Sequence, residues 1–167
     1  MEKIGLGGGC HWCTEAIFQS LRGVLRVQQG WISAIRAPAY SEAVIVHFDP
    51  GIISLATLVA VHLHTHSATS DHGMRHKYRS GVYAFDETQQ SEVARLLEGY
   101  QADFAAPLVT KAYGFRAFRE NTEEFTNYYY RNPGKPFCQN WISPKLQLLM
   151  DRFGSSVDPQ KINENAT

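Results

Sequence analysis

Residues 4–18 change character within a few positions. Ile4 and Leu6 make an apolar start, whereas Thr14-Glu15-Ala16-Ile17-Phe18 reads as the first turn of a helix. Between them runs Gly7-Gly8-Gly9-Cys10-His11-Trp12-Cys13. The glycines let the backbone turn sharply, which commits the chain to a strand that passes at once into a helix. Cys10 stands at that joint. There the unpaired backbone N–H groups and the positive end of the helix dipole stabilise an anion. A thiolate is such an anion, and the placement lowers a cysteine's pKa. The glycines also leave the sulfur open to a substrate, so the segment reads as an activated nucleophile.

Other readings of the same residues stand beside this one. A free cysteine is often a small buried hydrophobe, although a glycine turn seldom leads into one. Cys10 and Cys13, spaced Cys-x-x-Cys, also have the spacing of half a zinc site. The remaining cysteine is Cys138, so four cysteine ligands are excluded, while a site completed by histidines stays open. His62, His64, His66, His72 and His76 lie close together in sequence. His62 and His66 share a face if their helix continues. Histidines at a helix end also cap carbonyls or sit in solvent.

A chain of 167 residues accommodates one domain with a sizeable core. Lysine plus arginine equals aspartate plus glutamate at 16 each, so no excess charge points to nucleic acid or an anionic membrane. No apolar run approaches the roughly 18 residues of a membrane span. Met1-Glu2-Lys3 leads straight into a strand without a secretory apolar region. Few cysteines, one of them placed for reactivity, suit a reducing compartment, and a cytoplasmic, monomeric protein is expected.

The pattern predicts a strand over 3–7, a helix over 14–22 ended by Gly23 as a left-handed cap, and a strand over 24–33. The β-branched run 42–48 reads as a strand closed by Asp49-Pro50-Gly51, and Ser54 caps a helix reaching His64. A strand over 80–85, a helix over 87–103 opened by Asp86, a strand over 107–112 and a helix over 122–131 follow. The order β-α-β-β-α-β is the split-βαβ arrangement of ferredoxin-like folds. The fold class expected is therefore α+β, a two-layer sandwich of helices on a mostly antiparallel sheet. Residues 1–153 are expected to form a single catalytic domain. Residues 154–167, rich in Asn, Ser, Asp and Lys, are expected to form a loosely ordered tail.

The segment from Gly7 to Ala16 resembles the signature of the A-type peptide methionine sulfoxide reductases, usually Gly-Cys-Phe-Trp-Gly/Cys-x-Glu. Further matches come in family order. Ser41-Glu42-Ala43-Val44 resembles the family's His-Ala-Glu-Ala/Val segment, and Tyr78-Arg79-Ser80 resembles Gln-Tyr-Arg-Ser. Only His62 and Thr65 fit the family's His-Asp-Pro-Thr. The stretch from Asn132-Pro133 through Phe137-Cys138 to Trp141-Ile142-Ser143-Pro144-Lys145-Leu146 resembles the tail that carries a recycling cysteine. The likeness covers residues 4 to 150.

The resemblance implies a cysteine-based reduction with no metal or tightly bound cofactor. Cys10 thiolate attacks the sulfoxide sulfur, and Glu42 protonates the sulfoxide oxygen, which requires a carboxyl group kept neutral near pH 7 by burial. Trp12 packs against the methyl group on that sulfur. Cys10 becomes a sulfenic acid, a second thiol condenses with it to a disulfide, and a thioredoxin-like donor or another dithiol reduces the disulfide. Cys138 is the resolving thiol the family supports. Cys13, one helical turn from Cys10, is the second candidate.

Departures from the family pattern gather where the substrate binds. The phenylalanine after the cysteine is His11, which gives the methyl pocket a titratable wall, and the family's Gly-Tyr is Gly30-Trp31. The long glycine-rich substrate loop is cut to Ile32–Ser41. The position of the family aspartate is Gly73, with Asp71 displaced by two, and its later histidine is Thr126. Tyr78 remains as an oxygen-side donor, and Trp31 extends the aromatic wall. The reading is a divergent member acting on oxidised proteins or small-molecule sulfoxides. Two alternatives stay open: a thiol-disulfide or peroxide-handling enzyme using Cys10 and Cys13, and a non-catalytic module binding metal at its histidines.

Overall fold

The computed structural model describes residues 1–122, 125–126, 128–131, 134–136, 139 and 143–165. Its elements are β1 (Glu2–Gly7), α1 (His11–Gln19), β2 (Val24–Ala34), β3 (Ala37–Phe48), α2 (Leu55–Thr65), β4 (Gly81–Ala84) and α3 (Glu87–Tyr100). They continue with β5 (Lys111–Glu120), α4 (Tyr128–Arg131), α5 (Ser143–Phe153) and α6 (Pro159–Asn165). Among the described residues no helix is long and apolar enough to cross a membrane.

Local chemistry sets several boundaries. The Ser54 hydroxyl accepts the Thr57 N–H at 3.0 Å and starts α2. Asp86 accepts the Gln89 N–H at 2.7 Å and starts α3. Gly23 has the expected positive φ of 81°, but it turns the chain into β2, because α1 already ends at Gln19 with Ser20 as its cap. Residues 35–36 join β2 to β3 in a tight turn, and β3 begins at Ala37, well ahead of the predicted start at 42.

The sheet corrects the expected open sandwich. Its strands close into a barrel in the order β1-β3-β2-β5-β4, with β1 hydrogen-bonded to both β3 and β4. Without β5 the order would be β4-β1-β3-β2, leaving β2 and β4 with bare edges. β5 runs antiparallel to β2 and parallel to β4, satisfying the backbone groups of both. The sequence placed this strand at 107–112, several residues early and too short to show that it bridges two edges.

Two apolar clusters hold the layers. One lies between sheet and helices, with Ile4, Leu6, Val44, Val46 and Phe48 facing Ile17, Phe18, Leu58 and Leu63. The other, on the opposite strand face, joins Ile32, Ala34, Ala43 and Tyr83 to the aromatic rings of β5. The alternation of these sets along β3 is the period of two of a strand. His62 adds a polar tie, its Nε2 donating to the Gly7 carbonyl at 2.8 Å from a side chain 1 % exposed.

The segment after Phe153, read from sequence as loosely ordered, packs against the start of the chain. Val157 is buried and bridges to Leu21, and Asp158 donates its N–H to the Ser20 carbonyl at 2.8 Å. Lys161 Nζ caps the carbonyls of Leu21 and Val24 at 2.6 and 2.5 Å. A polar composition does not show those contacts, because one apolar side chain, one lysine and a few main-chain groups make them.

Phe48→Ala, at a fully buried site, is expected to cost about 3–5 kcal/mol in chemical denaturation, while Leu25→Ala, on an exposed side chain, should change stability by less than about 0.5 kcal/mol. Burial also pushes the His62 imidazole down to about 4. The unfolded chain then binds a proton that the folded chain refuses, so stability is full above about 6.5 and falls as pH drops toward 4. Denaturant midpoints taken from pH 7 to 4 should give a shallower loss for His62→Gln, by about one proton.

Candidate active site

Strand register builds the site. Gly7, the last residue of β1, pairs with Ala43 of β3 and Gly81 of β4, and Ala43 pairs in turn with Gly30 of β2. One step away, Glu42 pairs with Trp31. Glu42 shares a strand face with Val44 and Val46, which point toward the helices. A carboxyl group is thereby set under the start of α1.

The glycine turn presses against the loop that follows α2. Gly8 has φ of +151°, and a Cβ there would stand 2.6 Å from the His66 ring. Arg75 Nη1 ties the Gly8 carbonyl (2.7 Å) to the Tyr78 carbonyl (2.8 Å). Cys10 is the N-cap of α1, and its carbonyl accepts the N–H groups of Cys13 and Thr14 at 3.0 and 3.1 Å. Its thiol is held below the ordinary cysteine range, chiefly by a hydrogen bond from the Cys13 side chain, with the Trp12 and Cys13 backbone N–H groups adding to it. Burial and the nearby Glu42 pull the other way without prevailing. A cavity of about 500 Å³ opens on the sulfur, lined by Cys10, Cys13, His66, Met74, Tyr78 and Lys145. The result is a stabilised thiolate beside a space of substrate size.

Glu42 is buried behind it. Its Oε1 accepts the His11 backbone N–H at 3.2 Å and lies 3.3 Å from His11 Nε2, while Oε2 lies 3.5 Å from Lys77 Nζ. The loop ahead of β4 is clamped to β3 by backbone bonds. Glu42 N–H donates to the Lys77 carbonyl at 2.9 Å, and the Ser41 hydroxyl donates to that carbonyl while accepting the Arg79 N–H. The clamp holds Tyr78 at the cavity that opens on Cys10. Burial raises its phenol, and the charges of Glu42 and Cys10 add to this against the nearby Lys77.

His11 lies on the underside of α1 with both ring nitrogens engaged. Nδ1 faces the Gly30 carbonyl at 3.1 Å, and the Trp31 ring meets the imidazole edge-on at 5.7 Å. Burial holds His11 below the usual histidine range, opposed in part by Glu42. A side chain at Gly30 would run into the Arg119 carbonyl oxygen, so only glycine brings its own carbonyl to that place. Trp12 is half-buried and packs on the main core.

Cys10, Cys13, Tyr78, Glu42, His11 and Trp31 thus gather around one point. Asp71 does not join them. It is exposed and lines a separate cavity of about 360 Å³ with Arg75, Arg79 and Tyr113. Cys138 lies outside the described residues. The histidines are partnered individually: His66 Nε2 meets the Ser80 hydroxyl at 2.8 Å, and His64 lies 3.4 Å from Asp103. Among the described residues no group of three or more His, Cys, Asp or Glu side chains is arranged to hold a metal ion. Sequence reading missed Lys77, Asn121 and the Gly30 carbonyl. Each acts across strands or from a loop, where no periodicity marks it.

Residues 2–157 match the family model described as "Peptide methionine sulfoxide reductase". The peptide methionine sulfoxide reductase MsrA of Chromobacterium violaceum is 35% identical over 170 residues, spanning 92% of this chain and 97% of that protein. Among solved structures, reduced Mxr1 of Saccharomyces cerevisiae superposes with a TM-score of 0.72 at 21% identity, covering 82% of this chain and 88% of that one. Mxr1 in complex with Trx2 superposes at 0.61 with 21% identity, covering 74% and 82%.

Cys13→Ala removes the thiol donor and is expected to raise the Cys10 pKa, lowering the thiolate fraction at pH 7. Cys13→Ser, which keeps a donor, should move it less. Thiolate absorbance or alkylation rate against pH measures both.

Proposed function

Because the chain belongs to the peptide methionine sulfoxide reductase family, we propose that it reduces the S epimer of methionine sulfoxide through Cys10. The observation that carries the reading is the lowered Cys10 thiol at the N-terminus of α1, open to a cavity and backed by the buried Glu42. Cys10 sulfur bonds to the sulfoxide sulfur while Glu42 gives a proton to its oxygen. The protonated oxygen then passes to the Cys10 sulfur: the S–O bond and the transient bond between the two sulfurs break as the Cys10 S–O bond forms, leaving the thioether as product and Cys10, oxidised by two electrons, as a sulfenic acid. A second thiol attacks that sulfur, water leaves, and a disulfide forms. A dithiol then returns both cysteines to thiols and supplies the two electrons. The reading calls for no resident metal or cofactor.

Cys13 and Cys138 are the resolving candidates. For Cys13 the support is its hydrogen bond to the Cys10 sulfur, which keeps the two thiols in reach. The complex of the similar Mxr1 with Trx2 supports a thioredoxin-like reductant for this chain. Tyr78 is proposed as a donor on the oxygen side, and Trp31 with Trp12 as apolar walls. The tight turn at 35–36 leaves the mouth of the site without a long loop, which suits methionine sulfoxide on an oxidised protein surface as well as the free amino acid. Cytoplasm is the proposed setting.

Each epimer of a blocked methionine sulfoxide, supplied with a thioredoxin system, tests the reading. Loss of the S epimer alone is expected, abolished in Cys10→Ser and reduced about 10²-fold or more in Glu42→Gln. Turnover of neither epimer by the native chain would overturn it. The double variant Cys13→Ser/Cys138→Ser should perform one reduction and stop; steady turnover there would eliminate the disulfide step.

A further inference from the structure

A line of buried polar groups runs beneath α1 from one carboxyl to another. His11 and Glu15, four residues apart, point to the sheet from the same face of the helix. Gln29, fully buried on β2, donates its amide N–H to Glu15 Oε1 at 3.1 Å. Its amide oxygen accepts from Asn121 Nδ2 at 2.7 Å, and the same Nδ2 lies 3.5 Å from His11 Nε2. The far side of the imidazole meets the Gly30 carbonyl, and Nε2 also faces Glu42 Oε1.

Donors and acceptors along this line favour one arrangement. Gln29 presents its nitrogen to Glu15 and its oxygen to Asn121. Asn121 therefore donates, and its second amide hydrogen, 3.5 Å from His11 Nε2, favours a lone pair there. A carbonyl can only accept, so the Gly30 oxygen requires the hydrogen on Nδ1. Both neighbours therefore select the neutral imidazole protonated at Nδ1. Its bare Nε2 faces a carboxyl oxygen, and two acceptors meet there without repulsion only if that oxygen carries a proton.

We propose that His11, oriented by the Glu15–Gln29–Asn121 line and by Gly30, is the positioning residue that keeps Glu42 in its proton-bearing form. Lys77 on the other oxygen acts against this, favouring the carboxylate, and stabilises the charge that Glu42 acquires when its proton passes to the sulfoxide oxygen. Where the family signature has phenylalanine, an apolar wall needs no such partner. Here a lysine stands beside the acid, and the imidazole offsets it. The titratable groups around the pair are Cys10 on α1, with Lys77 and Tyr78 from the loop ahead of β4. β2 contributes the Gly30 carbonyl and Trp31, and the end of β5 contributes Asn121.

This inference rests on the proposed reductase activity, and its test separates the two. Single-turnover reduction of S-methionine sulfoxide is followed from pH 5.5 to 9 in the native chain, in His11→Phe and in His11→Phe/Lys77→Gln. His11→Phe should displace the alkaline limb to lower pH, so that its rate at pH 8.5 relative to its own rate at pH 5.5 falls at least tenfold below the native ratio. The alkaline limb should return toward its native position in the double variant, with substrate half-saturation little changed throughout. An equal loss at every pH, or no displacement of the limb, would overturn the proposal. Nitrogen-15 NMR of the native chain reads the imidazole directly and needs no turnover. A neutral ring with its hydrogen on Nδ1 at pH 7 supports the arrangement, and either a neutral ring protonated at Nε2 or an imidazolium sinks it. Absence of turnover in the native chain would instead count against the reductase reading.

Discussion

Everything at the site depends on how closely the start of α1 sits on the sheet. The approach is fixed by strand register, which sets Gly7, Ala43 and Gly30 level across three paired strands and turns the neighbouring Glu42 to the face that α1 covers. A larger residue at Gly30 would meet β5, and one at Gly8 would meet His66. With the helix end lowered, the His11 backbone N–H reaches the Glu42 carboxyl. One of the helix's unpaired donors thereby finds a partner 31 residues away. The thiolate site and the acid site are two uses of the same helix terminus.

That geometry divides the work between local and distant contacts. What lowers the Cys10 thiol comes from residues 10–13, all in the first turn of α1. What surrounds Glu42 comes from α1, β2 and the loop before β4. The opposing influences are also distributed: burial and Glu42 raise the Cys10 thiol, while Lys77 adds to burial in lowering the His11 imidazole. An acid and a thiolate as neighbours would each hinder the other if both were ionised. The proton proposed for the carboxyl removes that conflict before substrate arrives.

The legible parts of the sequence were those whose signal is local. The glycine-to-cysteine joint, the Ser54 and Asp86 caps and the β-branched run of β3 each announce themselves within a few residues, and all are where the pattern placed them. Barrel closure was not legible, because β5 has mixed exposure on both faces and its identity lies in which edges it joins. Lys77 and Asn121 were hidden for a related reason. They sit in a turn and at a strand end, and they matter only through register with β3 and β2. Asp71 was placed by analogy of position, and a shift of two residues was enough to turn it toward another cavity.

Closure through β5 also gives the reactive sulfur a history. β1 precedes the other four strands, yet its neighbours are β3 and β4, and the ring is complete only when β5 pairs with β2 and β4. Pairings so distant in sequence form slowly. α1 has nine residues and no independent stability in water, so its terminal N–H groups are not aligned until it docks on the sheet. A nascent chain therefore carries an ordinary thiol at position 10. Reactivity is acquired with the native state, and an oxidant meeting the unfinished protein finds a less tempting target than the finished one offers to its substrate.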